Sequence, residues 1–369
     1  MNINLFLIPF VVILGLMFSR KENDRSRLKY IWICNAVLLL VASLRSPEWL
    51  TETYHLDTLN YQEYFESTFN MGWGELKRAF VMRYFLGTGD FDIGFIILCK
   101  LISFVTHQFW VFSLLADLLF FVPFGIILYR YTTNVRQIIF AFIFYLMLIQ
   151  VFFLGGARQM FAIGLDLMAY LAIVDRKKLR AAIFFLLGVS IHFSSLLFLI
   201  PLLMVWFGIK PRTLKLLHML SFLFFSIVLI FPNELIRFMG NAAGMEKYAE
   251  YGSGIIKGGS EIFIIWVEAL SLYCLLAIRA EDIVSNASIR VFYVMTPMLT
   301  LFTPLIISDG SLIRLSLYFN LFLALLVPYA IDCTFDGRKR VAIYAIAIVL
   351  MSGITLVISS LKYYFFWQV

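Results

Sequence analysis

The sequence predicts an all-α integral membrane protein that crosses the bilayer about twelve times, within a range of roughly ten to thirteen. Three observations carry that prediction. Hydrophobic residues make up 62% of the 369 and charged residues only 14%, against roughly 45–50% and 25% in a soluble domain. Apolar runs of span length recur along the chain, under a mean hydropathy of +0.90. The basic residues collect in short clusters between those runs, as they do where cytoplasmic loops hold a helix bundle in orientation.

The runs lie near 3–19, 30–45, 109–129, 137–154, 159–174, 214–231, 261–279, 290–307, 312–333 and 341–361, each about the length of a membrane helix. Two stretches need separate argument. The apolar run from 181 to 208 is interrupted by Ser190, His192, Ser194, Ser195 and Pro201. It reads as one tilted helix or as two short ones with His192 near the apex. The run from Asp92 to Val105 is short and carries Lys100, which suits a re-entrant or interfacial segment better than a crossing.

Charge decides between the readings. The clusters Arg20–Lys29, Arg176–Arg180, Lys210–Lys215 and Arg338–Arg340 all face the cytoplasm only if 92–105 stays on the outer side and 181–208 is a two-helix hairpin. Both termini then lie outside. Arg45, the large outer segment 46–108, Arg158, His192, the glycine-rich outer loop 232–260 and Arg314 all fall on that same outer face of one transmembrane domain spanning 1–369. The net charge of +7 follows from this topology, and a nucleic-acid partner is not needed to explain it.

Cys34, Cys99, Cys274 and Cys333 sit singly in apolar runs, so neither a disulfide framework nor a zinc site is expected. The stretch Asn4–Ser19 lacks a basic leader and a small-residue cleavage site and reads as the first span rather than a signal peptide. No metal-ligand cluster and no nucleotide-binding glycine motif occurs, so the expected set of cofactors is empty.

Polar residues near hydrocarbon are the informative ones. Gly155-Gly156-Ala157-Arg158-Gln159 opens an apolar segment, and an arginine at that depth calls for an anionic partner; otherwise it snorkels to headgroups. The 46–91 segment mixes carboxylates with aromatics, and a helical reading puts Asp57, Tyr61 and Tyr64 on one face. Rings that stack on pyranose faces beside acids that bond hydroxyls suit sugar recognition, as they also suit an interfacial aromatic belt. Asp117, Asp166 and Glu268 lie inside spans and need partners there. Asp166 follows Arg158 by two steps of four, about 12 Å along one helical face, too far for direct contact.

Taken together the motifs resemble the EpsG family of polysaccharide polymerases, related in role to Wzy-type O-antigen polymerases. Arg45 followed by Asp57 and Tyr61 in HLDTLNYQEYF resembles the family's first outer loop, and FDIGFIILCKLI (91–102) its acidic-x-Gly-aromatic segment, with Asp92 where Glu is more usual. GARQMFAIGLDLMAYLAI, then DRKK and VSIHFSSLLFLIPLL, resemble its Arg-Gln helix and His hairpin; IRLSLYFNLFLALLVP (313–328) resembles its late Arg-containing helix. The resemblance extends from about residue 43 to residue 328 and implies a glycosyltransferase of GT-C-like architecture. Its substrate would be undecaprenyl-pyrophosphate-linked oligosaccharide at the outer, periplasmic face of the bacterial inner membrane. The product would be a surface polysaccharide such as O-antigen, capsule or exopolysaccharide, with a chain-length regulator protein as a further partner.

Such a reaction needs a cation for the departing pyrophosphate and a base for the attacking hydroxyl. Arg158 fits the first task, because a guanidinium binds phosphate oxygens through two parallel hydrogen bonds and stays charged. Asp57 and His192 compete for the second. Arg45, Tyr61, Asp92, Gln159 and Arg314 are the candidate pyrophosphate- and sugar-binding residues. With arginines supplying the charge, the enzyme is expected to be metal-independent. The rival reading from another class is a flippase for the same lipid-linked sugars, which would spread its polar residues along a path through the bilayer. Here they gather on one side.

Overall fold

Apolar stretches of this length satisfy their backbone N–H and C=O groups in hydrocarbon by becoming helices, and the computed structural model is helical throughout the residues it describes. Those are 2–20, 23–48, 57–85, 92–150, 156–231, 234, 260–307, 312–358 and 363–368. Of the segments singled out above, nearly all of the glycine-rich 232–260 stretch and parts of 46–108 (49–56 and 86–91) lie outside them. Outside the helices, an isolated antiparallel bridge pairs Arg45 with Phe365.

Seven helical stretches among those residues are long and apolar enough to cross a membrane, and four more are apolar but shorter. The protein is therefore a polytopic membrane protein. Its residues fall into two compact units, one comprising Met1–Leu199 with Ala345–Val369 and the other Ile200–Tyr344.

The first unit contains α1 (Asn4–Ser19), α2 (Asp24–Ser43), α3 (Thr58–Ser67), α4 (Trp73–Tyr84), α5 (Ile93–Ser103), α6 (Phe109–Tyr131), α7 (Val135–Phe144, continued by a π-turn over Tyr145–Ile149), α8 (Ala157–Val174) and α9 (Lys178–Ile191). Helix α8 is its centre, with 83% of its residues enclosed. Small residues explain why. Ala157, Ala162, Gly164 and Ala169 let neighbouring backbones close in, the usual device where lipid offers no hydrophobic drive to pack. At Gly164 the approach is so close that a Cβ would lie 2.0 Å from the Leu119 carbonyl oxygen, so α8 crosses α6 on a glycine.

Polar side chains fix the ends. Asn23 and Asn134 cap α2 and α7 by accepting the N–H of Ser26 and Gln137 at 2.8 and 3.1 Å. Arg27 donates to the Tyr129 carbonyl at 3.1 Å and to that of Thr132, placing a cation at the C-terminus of α6. Arg130 pairs with Asp175 at 2.5 Å, which ties that end of α6 to the end of α8. These contacts define one end of the unit. Chain direction then puts the end of α2, the start of α8 and the end of α9 at the other, where Arg45, Arg158 and His192 lie.

The long 181–208 run is not one helix. It is α9, a 3₁₀ segment over Phe193–Phe198 and α10 (Leu199–Trp206), and the break falls at His192, whose backbone is extended (φ −149°, ψ 112°). The short apolar run after Asp92 is the eleven-residue α5, too short to cross a hydrocarbon core at 1.5 Å per residue.

The second unit holds most of α10, then α11 (Pro211–Ile230), α12 (Ser260–Ala277), α13 (Ala280–Ser285), α14 (Ala287–Tyr293), α15 (Thr296–Phe302) with a 3₁₀ turn to Ile307, α16 (Ile313–Thr334) and the start of α17 (Gly337–Ile358). Here α16 is the enclosed helix, with 89% of its most apolar 18 residues covered. Interhelical hydrogen bonds stitch its neighbours. His218 of α11 meets Tyr293 Oη at 2.8 Å and Ser271 Oγ at 2.9 Å, and Ser271 meets Thr300 Oγ1 at 2.8 Å.

Candidate functional site

The site is assembled in the first unit around the start of α5. Gly94 lies against Ser190 so closely that a Cβ would stand 2.2 Å from the serine Oγ and 2.5 Å from its carbonyl carbon. Only glycine lets the first turn of α5 press on the last turn of α9. Asp92 occupies the N-cap position of α5 but makes no cap bond to its own helix. Its Oδ2 instead accepts the N–H of Phe193 at 3.1 Å, and the side chain is buried. The acid at the N-cap position is thus spent on another element.

One turn along α5, Phe95 is the ring on which the other candidates converge. Tyr61 meets it edge-on at 5.8 Å and Tyr64 stacks on it at 6.0 Å. The Arg158 guanidinium sits 5.8 Å from its centroid, within cation–π range. Phe95 and Tyr61 are buried, and Arg158 and Asp57 are half-buried. Asp57 stands at the N-cap position of α3, and its main-chain carbonyl accepts the N–H of Tyr61 at 3.1 Å. Lys100 holds α3 in place by donating from the side of α5 to the carbonyls of Thr68 and Phe69 at 3.0 and 2.9 Å. That is a helix C-terminus capped by a cation from a neighbour. Cys99 lies in the same cluster. Burial pushes its thiol well above the usual range, with the Arg158 charge offsetting part of the effect, so it is a packing residue rather than a nucleophile.

The turn carrying His192 is held from two sides. Beyond the Asp92 bond to Phe193, Ser195 Oγ donates to the buried Asp166 carboxyl, lying 2.8 and 2.7 Å from its two oxygens. The N–H of Ser195 donates to the His192 carbonyl at 2.9 Å. His192 itself is half-buried, its Nδ1 2.7 Å from Ser194 Oγ. The partner that Asp166 needs inside α8 is thus a serine just past the histidine.

Three other sequence candidates stand differently. Arg45 is only 2% exposed and faces the fully enclosed Asp117 at 3.5 Å. It also donates to the Ala42 carbonyl, while Ser43 donates to Asp117 at 2.9 Å. Gln159 is buried within α8. Arg314 is exposed in the first turn of α16, in the second unit.

Chemically, these residues offer a cation over the Phe95 ring, two tyrosines against that same ring, a carboxylate at the head of α3 and an imidazole on the turn that Asp92 ties to α5. Phe95 was not among the sequence candidates. The signal for it was the acidic-x-Gly-aromatic pattern, whose glycine and ring both acquire a role here. Ser194 and Ser195 read only as interruptions of an apolar run, because hydroxyls that bond backward in sequence and across helices leave no periodic mark.

No curated protein and no solved structure matches the chain. The model of the EpsG family matches residues 49–368, a range that includes Asp57, Tyr61, Asp92, Phe95, Arg158, His192 and Arg314. The chain belongs to the EpsG family, the family of Wzy-type polysaccharide polymerases.

Proposed function

We propose that this protein is a glycosyltransferase that joins undecaprenyl-pyrophosphate-linked oligosaccharide repeat units into a surface polysaccharide at the periplasmic face of a bacterial inner membrane. In this reading the chain makes about twelve passes in a GT-C-like arrangement, and a separate regulator protein sets product length. The observation that carries the proposal is the half-buried Arg158 guanidinium over Phe95, in a chain matched by a family of polysaccharide polymerases.

The chemistry follows from the groups present. A hydroxyl of the incoming lipid-linked unit forms a bond to the anomeric carbon of the growing glycan. The bond from that carbon to the pyrophosphate oxygen breaks, and its electron pair stays with the lipid pyrophosphate. Arg158 holds that developing charge by its fork, with Gln159 behind it on α8. Tyr64 provides a ring face for the sugar and Asp57 lines its approach, while the buried Tyr61 and Asp92 support that wall. The hydroxyl proton passes to Asp57 or His192. Arg45 is left out, because a buried guanidinium facing its own carboxylate serves the fold.

The test is to incubate the purified protein in EDTA with one synthetic undecaprenyl-pyrophosphate repeat unit. A ladder of longer glycans, undiminished by the chelator, is expected. Transfer of the unit across a vesicle membrane without elongation would replace the polymerase by a flippase. A ladder that vanishes with EDTA would overturn the arginine-only account of charge stabilisation.

A further inference from the structure

We propose that His192 is the group that accepts the proton of the attacking hydroxyl and that Ser194 is a positioning residue that fixes its ring for this task. The inference deepens the polymerase reading and rests on it. Its basis is the way the turn after α9 is built.

A histidine that only fills space needs one neighbour. Here the chain commits two buried carboxylates from two other helices to two of the three residues that follow the ring. Asp92, at the head of α5, holds the N–H of Phe193 at 3.1 Å. Asp166, two turns into α8, accepts from Ser195, and the Ser195 N–H closes back on the His192 carbonyl at 2.9 Å. The backbone of residues 192–195 is therefore pinned at three points. Acids are costly to place at such depth, and neither contact reaches the imidazole. What they fix is the direction in which the His192 side chain leaves the turn.

The ring has one more torsion to lose, and Ser194 removes it. The Ser194 hydroxyl lies 2.7 Å from Nδ1. With Nδ1–H donating to Ser194 Oγ, the other ring nitrogen presents its lone pair, which is the tautomer a general base requires. When Nε2 takes the hydroxyl proton, the imidazolium keeps its Nδ1–H on the serine oxygen. The proton ends on Nε2, the new C–O bond joins acceptor to donor sugar, and the old bond's electrons leave with the pyrophosphate. With His192 as the base, the unit's cations keep their own places. Arg158 lies over Phe95, and Lys100 is held by the α3 carbonyls. Asp57 then binds sugar hydroxyls rather than receiving the proton.

The experiment measures the first elongation step with purified wild type and variants on the synthetic lipid-linked unit. Ser194→Ala is expected to lower kcat about tenfold to a hundredfold with KM within about twofold, the loss belonging to misorientation of a reacting group. Ser194→Thr, which returns a hydroxyl to the same place, restores most of the rate. His192→Gln loses a larger factor, about a hundredfold or more, while thermal unfolding of all three variants stays near wild type. A Ser194→Ala enzyme with unchanged kcat, or one that Thr does not rescue, overturns the positioning role. A His192→Gln enzyme that elongates at the wild-type rate overturns the proton assignment and returns it to Asp57. A wild type that elongates nothing, with folded protein in hand, is the separate failure of the polymerase reading.

Discussion

Arg45 and Arg158 are the same residue type at the same end of one unit, and their surroundings give them different work. Arg45 faces Asp117 at 3.5 Å with both side chains enclosed, so removing the guanidinium strands a carboxylate inside α6. Arg45→Ala is expected to destabilise the protein by about 3–5 kcal/mol, read as a lowered midpoint in denaturant unfolding in detergent. Asp117→Asn in the same chain should recover a large part of that loss, because no buried charge is then left alone. A single Arg45→Ala variant that unfolds like wild type but cannot elongate would restore Arg45 to the substrate site. Arg158, half-buried over the Phe95 ring, is placed to bind a ligand's charge through its fork while keeping its aromatic wall.

Helix α5 is the element that turns a packed bundle into a site. It is eleven residues long, and it carries Asp92 to the His192 turn, Phe95 to Arg158 and the tyrosines, and Lys100 to the end of α3. All three contacts depend on Gly94 sitting against Ser190. Gly94→Leu is expected to push α5 away from α9, breaking the Asp92–Phe193 bond. Elongation should be lost by at least about tenfold, since a displacement of about 1 Å at a catalytic group is enough for a hundredfold. Limited proteolysis of the 57–103 region should accelerate at the same time. Wild-type activity in Gly94→Leu would show that the contact is only packing. The sequence made α5 readable as a short apolar segment headed by an acid, because its length and its Lys100 argue against a crossing. It did not reveal the partner of Asp92. A side-chain acceptor for one N–H 101 residues away in the chain has no local pattern.

Across the whole molecule, the membrane class and the positions of nearly all long helices were legible, because hydrocarbon enforces a strong constraint on length and polarity. The break at His192 was legible too, because polar residues interrupt the run there and the basic clusters on either side favour two helices over one. Interior pairings were not. That Asp166 is held by Ser195, that Arg45 faces Asp117, and that His218 links Tyr293 to Ser271 all depend on which helix faces cross, and composition carries no record of that. The candidate site was therefore visible as a set of residues; that Arg45 is enclosed against Asp117 while Arg158 is half-buried over Phe95 came only with the packing. The central claim is that the Arg158 guanidinium grips the pyrophosphate. Its most direct measure is the elongation rate of Arg158→Ala on a lipid-linked repeat unit, in protein that inserts and melts like wild type. The account predicts a fall of roughly a hundredfold to a thousandfold, as for loss of a main donor to a developing anion; a ladder of wild-type rate and length would contradict it.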